Sequence, residues 1–423
     1  MKKIFKRILF LFVILSHSVF AENSITSIKL TNLNEALQIG LKNSKRILVS
    51  RYELDKAKGD KITASLRPNP YISLNADVFP YYKGKFDPEA QQYGINLGYQ
   101  IETAGKREAR MNLADKNMKV TELLFAEAVR QVYLMIGTVY YETLAAKERL
   151  LLAEDNYTAM NLIAEINKKR LSKQDISNLE LIRSEVARDQ YATQIIQNKV
   201  SYLRSKAALT VLLGHDSNKI DIQINENLAF PNDPPEIQVD TAIQSALHGR
   251  PDYLALIGNE ELSISNIRLQ KSHAVPDVVV ALDAFNQQNQ KFYGATVTVP
   301  IPVFSRNQGE IAKSIATKKQ AEKSKEELYL NLTNEIKILS EEIKIRYSAI
   351  KNINQNSIIK STEAIKIMEL AYKSGGATLI EYMDTRRAFN ETRLMLIDTL
   401  MQYETVLFRY KYSLGFDLNL NTE

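Results

Sequence analysis

Tyr93-Gly94-Ile95-Asn96-Leu97-Gly98-Tyr99-Gln100-Ile101 and Tyr293-Gly294-Ala295-Thr296-Val297-Thr298-Val299-Pro300-Ile301 are one pattern met twice. In both, apolar and polar residues alternate, so an extended chain there has one apolar and one polar side. A partner run precedes each. Ile72, Leu74, Ala76 and Val78 alternate with Ser73, Asn75 and Asp77, while Val278, Val280, Leu282 and Ala284 alternate with partners that include Asp283. The spacing predicts two β-hairpins, over 71–102 and 277–301. Strands of about nine to eleven residues with this alternation suit a barrel in an outer membrane, and they suit a half-buried hairpin of a soluble domain equally. Number separates the two. Four strands cannot close around a pore, so a chain using them in lipid must either leave sheet edges unpaired or oligomerise. Tyr81, Tyr82 and Phe292 are candidates for the membrane interface.

Working outward, the duplication covers the whole chain. Leu33-Asn34-Glu35-Ala36-Leu37 lines up with Val239-Asp240-Thr241-Ala242-Ile243, Pro70 with Pro276, and Lys106 with Arg306. Ile176-Ser177-Asn178-Leu179-Glu180 then matches Ala377-Thr378-Leu379-Ile380-Glu381, and Leu213-Gly214 matches Leu414-Gly415. The first repeat is expected over 22–215, with helices at 31–66, 104–169 and 176–213. The second is expected over 238–415, with its long helix at 307–372 and a last helix at 377–415. A proline-bearing linker, 216–237, separates them, and 416–423 is a tail. Phe125, Val129, Val132, Ile136 and Val139 are spaced four and three apart, as are many apolar residues from Leu332 to Ile350, which is the spacing of a coiled-coil seam. A helix of this length is roughly 100 Å long at about 1.5 Å per residue, matching two short helices end to end. Prolines at Pro68, Pro70, Pro276, Pro300 and Pro302 mark the junctions of helix and strand.

Composition limits the function. There are 55 basic and 49 acidic residues, but Lys2, Lys3, Lys6 and Arg7 precede the apolar run Ile8–Leu15 and the small-residue site Val19-Phe20-Ala21. Residues 1–21 therefore read as a secretory signal, too short in its apolar part to span a bilayer. Without them 51 bases face 49 acids, so the charge gives no reason to expect a nucleic acid partner. No later stretch reads as a membrane-spanning helix. Cysteine is absent, which excludes disulfides, thiolate chemistry and a lipid-modified N-terminal cysteine. His215, His248 and His273 lack ligand spacing, and no phosphate loop or catalytic triad is present, so no cofactor, metal site or enzymatic activity is expected. With 15 glycines and 11 prolines in 423 residues, long uninterrupted helices are expected.

Taken together, a signal and a duplicated unit of short helix, β-hairpin, long helix, turn and short helix resemble the TolC-like outer-membrane efflux proteins. Ile101-Glu102-Thr103-Ala104-Gly105-Lys106-Arg107 is similar to the segment opening the first long helix in heavy-metal efflux members, and Tyr372-Lys373-Ser374-Gly375-Gly376-Ala377-Thr378-Leu379 to the second-repeat turn. The resemblance implies a mainly α fold with a β-barrel part. In it, a homotrimer forms a twelve-stranded outer-membrane barrel continued by a long α-helical barrel in the periplasm. It implies a passive exit duct of a tripartite system, working with a periplasmic adaptor and an inner-membrane pump and embedded in outer-membrane lipid. The substrates are metal ions, drugs or secreted polypeptide. A rival reading is a periplasmic coiled-coil adaptor or structural protein that stays out of the membrane.

By the same resemblance the periplasmic gate comprises Glu381, Asp384, Tyr372 and Asn178. Glu381 and Asp384 share a helix face and match pore-lining acids, although beside Arg386 and Arg387 they also read as solvated charges. Tyr372 matches a tyrosine that latches neighbouring helices, and its usual acidic partner falls on Asn178. The family's latch arginine falls on Ala377. The turns expected to meet the adaptor are Gln174, Asp175 and Ser177 in the first repeat and Gly375, Gly376 and Thr378 in the second. Gly375-Gly376 suits a positive φ, whereas Gln174-Asp175 predicts a stiffer or differently shaped turn.

Overall fold

The computed structural model describes residues 26–77, 81–82, 85–86, 92–231, 233, 236–287 and 290–415. The expected signal, the tail 416–423 and the side chains of Tyr81 and Tyr82 lie outside what is described. The chain forms two compact units, each drawing on both repeats. One comprises Met1–Asn43, Ile136–Ala229 and Glu363–Ile397; the other comprises Ser44–Met135, Phe230–Thr362 and Asp398–Glu423.

The chain begins with β1 (Thr26–Leu30), α1 (Leu33–Asn43) and α2 (Lys45–Ser65). The expected helix 31–66 is thus two helices, broken where Ser44 takes an extended ψ of 121°. After β2 (Tyr71–Asp77), the short pair β3 (Tyr81–Tyr82) and β4 (Lys85–Phe86), and β5 (Gln92–Ile101), α3 runs unbroken from Lys106 to Ser172. α4 (Asn178–Leu212) completes the first repeat. The linker then contains a strand of its own, β6 (Ile220–Ile224), which pairs in parallel with β1 in the first unit. The second repeat follows with α5 (Val239–Gly249), α6 (Pro251–His273), β7 (Val278–Gln287) and β8 (Gln290–Thr298). Its long helix is α7 (Gln308–Asn352) and α8 (Ile359–Ser374) joined through a π-helical turn, Ile353–Ile358, and α9 (Leu379–Ser413) ends the fold.

In the second unit β2, β5, β7 and β8 form one antiparallel sheet in that order, so the hairpins of the two repeats join edge to edge. Register sorts the residues rung by rung. Ile72, Leu97, Leu282 and Ala295 lie on one face, and Ser73, Asn96, Asp283 and Gly294 on the other. On the polar face Asp283 accepts from Asn96 Nδ2 at 2.5 Å and from the Thr296 hydroxyl at 2.7 Å, tying three strands together. On the apolar face Leu74 and Tyr293 are 79% and 80% exposed, with nothing among the described residues covering them. Below the sheet, the buried Lys106 ammonium meets Asp277 at 2.5 Å, and Thr103 N–H donates to the same carboxylate at 3.0 Å. This bond joins the start of the first long helix to the start of the second hairpin. It fits a lysine that sequence pattern marks only as a helix opener.

In the helices most of the heptad residues are buried, while Phe125 and Val139 are half-buried. Val132 and Leu332, Ile136 and Ile336, and Tyr140 and Ser340 are buried at matching positions of the two repeats. One window of α3 is long and apolar enough to cross a membrane by composition, contrary to expectation. Buried residues of this helix include Val129, Val132, Ile136 and Leu144, so much of its apolar surface is already used in helix packing.

Both helix turns close in the same way. Gln174 N–H donates to Leu171 O and Asp175 N–H to Arg170 O, and Gly375 N–H donates to Tyr372 O and Gly376 N–H to Ala371 O. Each is the paired bonding that ends a helix with one left-handed residue. Gln174 takes φ +63° where Gly375 takes +83°. The turn expected to be stiffer or different has the same hydrogen-bonded closure, with a side chain in a region that costs L-residues about 1–2 kcal/mol. Elsewhere, Gly214 at φ +83° passes so close to Asn43 that a Cβ would lie 2.1 Å from its carbonyl oxygen.

Gln174→Gly should therefore stabilise the protein, by about 1 kcal/mol once the added unfolded-state freedom of glycine is deducted. The check is a rise in the thermal unfolding midpoint in detergent. Gly214→Ala should cost about 2–5 kcal/mol from backbone strain and overpacking together. Gly59→Ala, in an exposed interior turn of α2 with open space at the added methyl, should gain about 0.5–1 kcal/mol in the same assay.

Candidate functional site

The ends of the four helices around the two turns belong to the first unit, where Met160, Ile163, Ala187, Ile365, Tyr372, Leu379 and Tyr382 form a buried cluster. Tyr372 sits in it because α8 delivers it one turn before the left-handed Gly375. Its hydroxyl donates to Asn167 Oδ1 at 2.6 Å and to Glu180 Oε1 at 3.3 Å. Burial, with Glu180 nearby, raises this phenol above its ordinary value despite the opposing hydrogen bond with Asn167.

Asn178 is not the partner of Tyr372 within the chain. It is the first residue of α4 and is exposed, and the acid arrives two residues later as Glu180. The first turn of a helix advances by about 100° per residue, so a two-residue offset selects a different face. Ser177 caps this helix by accepting from Glu180 N–H at 3.2 Å. Arg170, in the last turn of α3, donates to the carbonyl oxygens of Tyr372 and Lys373, both at 3.1 Å, and its guanidinium carbon lies 5.3 Å from the Tyr372 ring centre. A cation beside the last carbonyls of a helix is favoured by the helix dipole as well as by hydrogen bonding. Arg170 thus bridges the two repeats at this end of the unit, although Ala377 stands where the family's latch arginine is expected.

Glu381 and Thr378 form a reciprocal cap at the start of α9. The carboxylate Oε2 accepts from Thr378 N–H at 2.8 Å and from the Thr378 hydroxyl at 2.9 Å, and Glu381 N–H donates to Thr378 Oγ1 at 3.3 Å. The Thr378 backbone N–H, followed by its hydroxyl, holds the carboxyl below its ordinary value, so the group is an anion at neutral pH. Asp384 is exposed and lies 3.6 Å from Arg387. Gln174, Asp175, Gly375 and Gly376 are exposed on the turns themselves. Between the turns a recess of about 500 Å³ is lined by Arg170, Asp175, Ser177, Glu180, Arg183 and Thr378.

Asn167, Glu180 and Arg170 were not anticipated from the sequence. Glu180 and Arg170 left a signal, an acid in a first helical turn and a base in a last one, but nothing in the pattern aims either at Tyr372. Asn167 reads as an ordinary polar residue of a long helix. Among the described residues no group of three or more His, Asp or Glu side chains is placed to hold a metal ion. The arrangement has charge, caps and hydrogen bonds.

The family model for outer membrane efflux proteins matches residues 36–215 and 242–409. The cobalt-zinc-cadmium resistance protein CzcC of Cupriavidus metallidurans is 23% identical over 377 residues, covering 88% of this chain and 86% of that protein. The fold is similar to that of the Campylobacter jejuni CmeC outer membrane channel, with a TM-score of 0.77 at 16% identity over 92% of this chain and 86% of that one. It is also similar to that of CusC, with a TM-score of 0.74 at 14% identity over 95% of each chain. The chain is a TolC-like protein of the outer membrane and belongs to the outer membrane efflux protein family.

Proposed function

We propose that the protein is the passive exit duct of a tripartite efflux system. Three copies close one twelve-stranded barrel in the outer membrane, and their helices continue it as a tunnel into the periplasm. The observation that carries this reading is the four-stranded sheet, whose apolar face is bare and whose strands β2 and β8 each have one unpaired edge among the described residues. In lipid that face needs no cover, while the two edges require a partner, and a second copy offers β8 an unpaired β2. A periplasmic adaptor that never enters a membrane has no use for such a face.

The turns at Gln174, Asp175 and Ser177 and at Gly375, Gly376 and Thr378 are the sites where an adaptor would dock, which their exposure supports. Substrate reaches them from an inner-membrane pump. Divalent cations are the substrates favoured here, on the likeness to a protein named for cobalt, zinc and cadmium resistance. Asp283 on the polar strand face and the acids Glu381 and Asp384 beside the second turn suit cation passage. Around a threefold axis Glu381 and Asp384 would form two stacked acidic rings at the entrance.

Membranes separated from cells should yield the protein as a heat-resistant trimer in the outer-membrane fraction, and a soluble periplasmic monomer would refute the reading. In planar bilayers, Glu381→Ala with Asp384→Ala should raise single-channel conductance or lower cation preference. Unchanged currents would remove those two residues from the gate.

A further inference from the structure

Lys291 interrupts an otherwise uncharged surface. The strand registers set Tyr93, Asn286 and Lys291 on one rung of the apolar face, and Ile95, Ala284 and Tyr293 on the next rung of the same face. Of the residues that the registers place on this face, Lys291 alone carries a charge. It is exposed, and among the described residues its ammonium has neither an ion pair nor a hydrogen bond. A lysine turned to bulk water is the ordinary account of an exposed cation, and on the polar face of the sheet it would suffice. On this face the neighbours are apolar and the medium, in an outer-membrane barrel, is lipid.

Height along the strand decides what the ammonium meets. β5 leads into α3 and β7 follows α6, so the helices lie at the end of the sheet that holds Ile101 and Val278. Lys291 lies at the other end, one rung before the β7–β8 turn, and with the helices in the periplasm that end faces outward. Eight residues separate Val278 from Asn286, which is about 27 Å of strand at about 3.4 Å per residue, or about 19–22 Å of height at a barrel tilt of about 35–45°. The apolar band of such barrels is about 25 Å tall, so the flexible stem of Lys291 stays in the apolar layer while its ammonium reaches the headgroups of the outer leaflet. A cation is tolerated at that depth and not at the midplane.

The surroundings select the sign and the chemistry of a partner. The Asn286 amide on the same rung and the Tyr293 hydroxyl on the next can both donate hydrogen bonds, and no carboxylate shares the face to neutralise the ammonium. A recess of about 320 Å³ has Tyr93, Ala284, Asn286, Lys291 and Tyr293 among its lining residues. Ammonium, amide and phenol together suit a group with several acceptor oxygens and a negative charge. We propose that Lys291, with Asn286 and Tyr293, binds the phosphate of an anionic lipid headgroup in the outer leaflet. The proposal rests on the duct reading above, because it needs this face to lie in lipid. Duplication sets the copy number. Tyr93-Gly94 matches Tyr293-Gly294, and the position that matches Lys291 is the uncharged Gln91, which lies outside the described residues. Each copy therefore supplies one cation of this kind, and a trimer holds three sites.

The test uses the full-length protein in detergent with lipid A as the probe. Lipid A carrying both phosphates should raise the thermal unfolding midpoint, less so as salt is added, and the same lipid stripped of its phosphates should bind at least fivefold more weakly. Lys291→Gln should lose at least fivefold in affinity for the phosphorylated lipid, while Lys291→Arg should keep it. Equal binding of phosphorylated and stripped lipid by the wild type overturns the inference without any variant, as does a Lys291→Gln protein that binds like wild type. Inorganic phosphate that binds as tightly as lipid A would mark a site for free phosphate and overturn the lipid assignment. A soluble periplasmic monomer overturns the duct reading and this inference with it, whereas an outer-membrane trimer whose lipid A binding ignores Lys291 overturns the inference alone.

Discussion

Unpaired backbone groups along the outer edges of β2 and β8 are the constraint on which the rest of this protein turns. A buried amide without a partner costs kilocalories in water-free surroundings, and a strand edge presents a row of them. Among the described residues this sheet has four strands with which to answer. The chain's duplication supplies two hairpins but no closure, and the joint between the repeats at β5 and β7 only moves the open edges outward. On the proposed reading, the demand for copies is thus set by backbone chemistry before any side chain is considered. Side chains would then decide orientation, with Leu74, Leu282 and Tyr293 on the face offered to lipid and Asn96, Asp283 and Thr296 on the other.

Much of this was legible in the sequence, because periodicity of two and of seven is a direct print of strand and helix geometry. The hairpins, the long helices and the buried heptads Val132, Ile136, Leu332 and Ile336 follow from spacing alone. What could not be read depends on which helix faces which. By resemblance the usual acidic partner of Tyr372 falls on Asn178, and within the chain the hydroxyl meets Asn167 and Glu180, on two other helices, because the packing of helix faces selects the partner. Arg170 takes over a bridging role from a chain position, Ala377, where no cation exists. Strand β6 does alternate, Ile220, Ile222 and Ile224 about Asp221 and Gln223, but its parallel partner β1 lies far away in the sequence, so no neighbouring run marks it as half of a pair.

The π turn shows how closely the two repeats are matched. From Lys106 to Ser177 and from Arg306 to Thr378 the second repeat uses one residue more. Before the π turn, buried residues correspond at a spacing of 200, as in Ile136 with Ile336; beyond it, Ala164 corresponds to Ile365, at 201. An extra residue in a plain α-helix would turn everything after it by about 100° and expose Tyr372. Wide winding over Ile353–Ile358 absorbs the surplus, so both ends of the helix keep their buried faces.

Glu381 illustrates why a structural and a functional role need not compete. Capping uses one carboxylate oxygen, Oε2, for both bonds to Thr378, leaving Oε1 to solvent. The cap fixes where the anion stands, and the backbone N–H that it accepts from favours the charged form. In a threefold ring, neighbouring carboxylates would push one another toward protonation, which weakens an acidic filter just where it is narrowest. A carboxylate already held low by a helix terminus resists that push. On the proposed reading, helix start and pore charge are therefore the same device seen from two sides, and a bare solvated acid at this position would serve neither purpose as well.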